Sequence, residues 1–252
     1  MKFVHKKSIL MRKAAVLTAA VLIFSSQEGR IFTSYGADEE YSNTNFDFGT
    51  VSGYTFTNGW ANMSISIPHG FTVQTGKEMY SEIYYEPEDS VYDGGEATDI
   101  LLVCPEYMEA YRNDKLYDLN DSLVFALFYM PAVRADGTAV DNDSVGTSLS
   151  MASVGAKGYE AYVAKSEKNI GGYVYDSYIF DYGNAVKEDY RQKNPGKESP
   201  LLEDDISLRA EVNIRQVDDK KIVLLTLTSG KYYGQESLVL GGIRNIRGTY
   251  NG

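Results

Sequence analysis

The chain has 252 residues, with 24 Lys and Arg against 35 Asp and Glu, for a formal charge of −11. That balance excludes an ordinary nucleic-acid binder, whose phosphate contacts need clustered positive charge, and simple electrostatic docking on anionic lipid or polymer. One cysteine (Cys104) and two histidines (His5 and His69) exclude an intramolecular disulfide framework and any Cys/His zinc pattern.

Lys2, Lys6, Lys7, Arg12 and Lys13 precede an apolar run from Ala14 to Phe24, and small residues follow at Ser34, Gly36 and Ala37. A charged start, a short apolar middle and small residues near a cut site make a secretory signal peptide. The run is well short of the roughly 20 residues that a membrane-spanning helix needs. The reading is a signal peptide over residues 1–36, cut between Gly36 and Ala37, with an uncleaved N-terminal anchor as the competing reading. The protein is then secreted or cell-surface-associated, with no transmembrane segment in the mature chain. Removing residues 1–36 takes six basic and one acidic residue from those totals, leaving 18 against 34 and a formal charge of −16.

Residues 37–52 are polar and acidic and read as a flexible lead-in to one domain over residues 53–252. Tyr54 to Thr57 alternates, Asn58-Gly59 signals a turn, and Met63 to Ile67 alternates again, which predicts a hairpin with one buried face. Thr75 and Glu78 form a capping box that predicts a short helix through about Tyr85. Residues 86–96 read as a surface loop. Ile100 to Cys104 and Leu123 to Met130 are continuous apolar runs that predict buried strands. Glu106 to Leu119 is left open as helix or loop, and residues 134–146 read as a turn.

Tyr159 to Ser166 and Tyr173 to Tyr182 are strand-like and joined through Asn169-Ile170-Gly171-Gly172. Residues 183–205, with Pro195, Gly196 and Pro200, form a long excursion. Leu208 to Ile214 alternates, Asp218-Asp219 turns the chain, and Ile222 to Leu227 reads as a central strand. Leu238, Leu240, Ile243 and Ile246 recur at near-helical spacing, which predicts a closing helix. The fold class is α+β: an antiparallel β-sheet flanked by helices.

The order of these pieces carries a resemblance. A strand ending Ile65-Ser66-Ile67-Pro68-His69-Gly70-Phe71 turns into a helix. A Gly-flanked strand (Gly158 to Tyr162), a Tyr-rich strand, a hydrophobic strand ending Thr226-Leu227-Thr228-Ser229 and a last helix follow. This resembles secreted domains of the PsbP/Mog1-like type found in anaerobic Gram-positive bacteria, over about residues 53–247. Insertions fall near 86–96, 131–146 and 183–205, and His69 departs from the acidic or polar residue expected at its corner. The resemblance implies an α/β/α sandwich, binding of other proteins and no particular reaction.

Catalytic chemistry is sparse. A Ser-His-Asp triad has only His69 to use, a turn residue between Pro68 and Gly70, and Cys104 sits in an apolar run that suits an inert core thiol. Carboxylates are plentiful at Glu106 and Glu109, Asp118 and Asp121, and Glu203 to Asp205, but glycosidase chemistry needs two facing one cleft. Asp141-Asn142-Asp143 starts like an EF-hand loop, yet Val145 and Ala152 stand where oxygen ligands belong. No cofactor or metal is expected.

The remaining lead is tyrosine, at 21 residues, together with the single Trp60. On a strand, Tyr173 and Tyr175 share one face and Tyr178 and Tyr182 the other, so one pair is expected to be exposed. Large amphipathic rings favour interfaces. The expected function is a secreted or cell-surface-associated, non-enzymatic binding domain for another extracellular protein, with Trp60, Tyr173, Tyr175, Tyr178 and Tyr182 as the binding residues. The alternative is a carbohydrate-binding or carbohydrate-active protein that uses Trp60 and the acidic pairs.

Overall fold

The structure is a computed structural model that describes residues 48–75, 97–113, 115, 120–133, 137–153, 163–182, 192, 195 and 207–246. The expected signal peptide, the helix from Gly76 to Tyr85 and most of the 183–205 excursion lie outside the described residues.

Three short strands begin the fold: β1 (Thr50–Ser52), β2 (Thr55–Asn58) and β3 (Met63–Ser66). The hairpin forms as read, with Phe56 opposite Ile65 and Asn58 opposite Met63. Strand β1 pairs with β2 through Thr50 and Thr57. Among the described residues strand therefore begins at Thr50, inside the segment read as a flexible lead-in.

The large sheet follows: β4 (Thr72–Thr75), β5 (Ala97–Val103), helix α1 (Pro105–Arg112), β6 (Ser122–Pro131), helix α2 (Asn142–Ser153), β7 (Val163–Ile170), β8 (Tyr173–Tyr182), β9 (Leu208–Val217) and β10 (Lys220–Ser229). Its seven strands run in the order β4-β5-β6-β10-β9-β8-β7, and every pairing is antiparallel. Thr75 therefore ends a strand, paired with Ile100. Gly171 and Gly172, at φ 62° and 91°, make the two-residue turn between β7 and β8. Asp218 takes the left-handed conformation in the β9–β10 turn, at φ 51°.

After β10 a 3-10 turn (Gly230–Tyr232) leads to helix α3 (Ser237–Leu240) and strand β11 (Ile243–Asn245). The expected closing helix is therefore only half right. Gly241 and Gly242 follow the helix, and Ile243 turns to pair with Ile65, so β11 completes the small sheet in the order β1-β2-β3-β11. Glycine is a poor helix interior residue and a common stop.

Strand β10 is buried along its whole length and β6 along all but its last residue, so both faces of the large sheet are covered at its centre. Helix α2 lies on one face and forms where the sequence predicted a turn. Asp141 caps it, its carboxylate accepting from Asp143 N (3.3 Å) and Ser144 N (3.0 Å). Val145 and Leu149 are its core residues. The small sheet and α3 lie against the other face. The class is α+β, as expected, and the core is one continuous cluster running from Phe56 to Ile243.

Candidate functional site

The two sheets meet at a polar and aromatic seam built by the β2–β3 turn. Asn58 Oδ1 accepts from Ala61 N at 2.7 Å, and Asn62, at φ 50°, donates its N–H to Gly59 O at 3.3 Å. This tight turn presents Trp60, the carbonyl of Ala61 and the side chain of Asn62 to the large sheet. The Trp60 ring meets Tyr129 of β6 edge-on, with centroids 5.5 Å apart.

Arg215 of β9 clasps the turn from the other side. Its Nε donates to Tyr175 Oη at 2.8 Å and its Nη2 to the Ala61 carbonyl at 2.6 Å. Its guanidinium carbon lies 4.1 Å from the Tyr173 ring centroid and 5.4 Å from that of Tyr175, within cation–π range. Asn62 Nδ2 donates to Tyr173 Oη (2.5 Å) and to Asn245 Oδ1 (2.8 Å). Trp60, Asn62, Tyr173, Arg215 and Asn245 are each half-buried. Ile246, exposed, joins them through its N–H to Asn62 O at 3.4 Å.

Beneath the seam sits the buried carboxylate of Asp99, next to a β-bulge in β5. It accepts from Gly49 N at 2.9 Å, from Asn58 Nδ2 at 3.0 Å and from the Tyr129 hydroxyl. Burial pushes the Tyr129 phenol well up, and the Asp99 charge adds to it. Burial also raises Tyr175, against the pull of Arg215.

Of the five residues expected to bind, the fold brings Trp60, Tyr173 and Tyr175 together, but only Trp60 and Tyr173 reach the surface. Tyr175 is 1% exposed and lies under the seam. Tyr178, also 1% exposed, is on the opposite face beneath α2, where its hydroxyl donates to Asp143 Oδ1 at 2.6 Å. The side chain of Tyr182 is outside the described ones. The expectation that alternation leaves one pair of tyrosines exposed is therefore corrected: the seam covers one face of β8 and α2 the other. Asn62, Arg215 and Asn245 were not among the expected site residues. Arg215 shares a strand phase with Glu211 and Asn213, but only the β8–β9 register reveals that this phase faces Tyr175.

The other candidates resolve as structure. His69 is exposed and stacks on Tyr54, with ring centroids 6.0 Å apart. Cys104 is buried, its Sγ accepting from Leu123 N at 3.2 Å, and burial raises its thiol pKa. Glu106 is taken up by Lys231 and by the Tyr232 hydroxyl at 2.8 Å, and Asp121 accepts from Lys231 N at 2.8 Å. Asp141 and Asp143 cap and anchor α2, with Lys165 paired to Asp143. Asp118 and Glu203 to Asp205 lie outside the described residues. Among the described residues no group of three or more His, Cys, Asp or Glu is placed to hold a metal ion, and no helix is long and apolar enough to cross a membrane.

No protein-family model matches this sequence, and no curated protein matches it significantly. Among solved structures it is similar to LpqN of Mycobacterium tuberculosis, described as involved in cell envelope biogenesis, at 8% identity and a TM-score of 0.34 over 72% of this chain and 82% of that one. It is also similar to the PsbP protein CyanoP of Synechocystis sp. PCC 6803, at 10% identity and a TM-score of 0.37 over 83% of this chain and 99% of that one. At such identities and scores these likenesses carry no functional argument, and the α+β class rests on the strands and helices described above.

Proposed function

We propose that this protein is an exported domain, secreted or held at the cell surface, that binds another extracellular protein through the seam centred on Tyr173. One observation carries the reading. A tryptophan, a tyrosine and an arginine, the residue types enriched at binding hot spots, lie half-buried together, the tyrosine and arginine locked by hydrogen bonds and the tryptophan packed on Tyr129. Rings and a guanidinium fixed in this way lose little further entropy when a partner covers them. Export is supported by the charged and apolar N-terminal pattern.

The carbohydrate reading has less support. Glu106 is already engaged by Lys231 and Tyr232, and the Trp60 ring is spent partly on Tyr129. The test is to compare wild type with Tyr173→Ala for capture of surface proteins from the parent cell and for binding to a glycan array. A protein captured by wild type and lost by the folded variant supports the proposal. Glycan binding in place of protein capture, or capture that Tyr173→Ala leaves unchanged, overturns it.

A further inference from the structure

Arg215 is the one part of the seam whose chemistry names a ligand. Arg209, on the same face of β9, is neutralised by Asp181 at 2.9 Å and Glu236 at 3.0 Å, and Lys168 nearby is neutralised by Glu211 at 2.5 Å. Arg215 differs: it has no carboxylate within salt-bridge distance among the described residues, although the sequence holds 35 acidic residues. Its Nε is taken by Tyr175 Oη and one Nη2 proton by the Ala61 carbonyl. Those two groups form one side of the guanidinium fork. The other side, the end bearing Nη1 and the second Nη2 proton, makes no hydrogen bond among the described residues.

We propose that this free end of Arg215 receives a carboxylate presented by the partner protein, from an aspartate or glutamate side chain or from its C-terminal residue. The inference rests on the seam being the binding face. The fork geometry of a guanidinium matches a carboxylate in a bidentate pair. The hydrogen bonds to Tyr175 and Ala61, with the Tyr173 ring centroid 4.1 Å from the guanidinium carbon, hold the fork in advance, so forming the pair costs little side-chain ordering. Half-burial of Arg215 strengthens the pair relative to one in open water. A phosphate would fit the same fork, but its second charge has no second cationic side chain in the seam, among the described residues, to offset its desolvation and meets a protein of net charge −11, so the monoanion is favoured.

The experiment follows the Arg215 Nε–Hε resonance in the intact protein during titration with acetate, inorganic phosphate or chloride at matched ionic strength. Acetate is expected to give a saturable shift at millimolar concentration, chloride none, and phosphate a weaker one. Arg215→Lys keeps the charge but not the fork, and should bind acetate about tenfold more weakly or worse. An Arg215 signal that treats acetate like chloride, tighter binding of phosphate, or full acetate affinity in Arg215→Lys each overturns the proposal. If Arg215→Lys does not fold, the wild-type titration alone decides. A partner lost by Tyr173→Ala but kept by Arg215→Lys leaves the seam as the binding face and removes only the carboxylate.

Discussion

Replacing Asp99 with alanine removes the acceptor that joins three parts of the fold: the residue before β1, the β2–β3 hairpin and strand β6. Its carboxylate is 2% exposed and accepts from Gly49 N, Asn58 Nδ2 and the Tyr129 hydroxyl. Asn58 Nδ2 keeps a second acceptor, Tyr129 Oη at 2.7 Å, so the substitution strands two donors outright. Each stranded donor costs about 1–3 kcal/mol, with partly buried groups at the low end. The expected loss for Asp99→Ala is therefore about 3–4 kcal/mol. Asp99→Asn keeps an oxygen for Gly49 and lets the Tyr129 hydroxyl rotate to accept, but turns an amide donor toward Asn58 Nδ2, so it should cost about 1–3 kcal/mol, less than Asp99→Ala. Trp60 is the only tryptophan and packs on Tyr129. Its fluorescence during urea unfolding, compared with far-UV circular dichroism, reports hairpin docking and global stability together. The reasoning is refuted if Asp99→Ala lies within about 0.5 kcal/mol of wild type, which is the range of a neutral surface change.

Three further outcomes follow from local geometry. Gly146→Ala should destabilise by about 1–2 kcal/mol despite better helix propensity, because a Cβ there would meet the Tyr178 ring at 2.1 Å; a stabilised variant in thermal melts would contradict the packing of α2. Burial alone would raise Glu106, but hydrogen bonds from Lys231 and Tyr232 outweigh it and hold the carboxyl at about 2. Its contribution is present above the unfolded carboxylate pKa of about 4.3 and is lost as pH falls toward that lower value. Glu106 is 32% exposed, so solvent screening limits the contribution to about 1 kcal/mol. The stability gap between wild type and Lys231→Met should narrow across that acid range, and a gap constant with pH would refute the assignment. Cys104 should resist an aromatic disulfide reagent in the native protein and react on unfolding; prompt native labelling would mean that the thiol is not enclosed.

Strands β5, β6, β8, β9 and β10 of the large sheet were legible because they are long and apolar or cleanly alternating. Strand β4 was not, because Thr75 reads as a helix cap, and β7 runs on to Ile170, past the Ser166 end the sequence suggests. Tyr173 to Tyr182 is strand β8 with both ends as read, and the Asp218-Asp219 turn falls where the alternation stops. Helix α2 was not legible. Its sequence, NDSVGTSLSMAS, is rich in Ser, Thr and Gly, and its helicity depends on the Asp141 cap and on tertiary packing of Val145 and Leu149. Strand β11 was hidden because Ile243 and Ile246 fit a helical spacing, and only pairing with Ile65 selects the strand. The alternation of β9 was read correctly but is silent about what covers its polar face. Glu211 and Asn213 are fully buried, and one oxygen of each, with Ser177 Oγ and Thr226 Oγ1, has no hydrogen-bond partner among the described residues. Period-two patterning separates two faces without saying that either is wet. The seam itself unites residues as far apart as Asn62 and Asn245, and such contacts are set by topology.

Photo-crosslinking on the parent cell surface tests the central claim most directly. Ile246 beside the seam and Leu238 on helix α3 are almost equally exposed, at 44% and 46%, so they make a matched pair of probe positions. The account predicts a discrete protein adduct from a crosslinker at Ile246, abolished by Tyr173→Ala, and none from Leu238. Adducts of equal yield from both positions, or an Ile246 adduct that survives Tyr173→Ala, would contradict it.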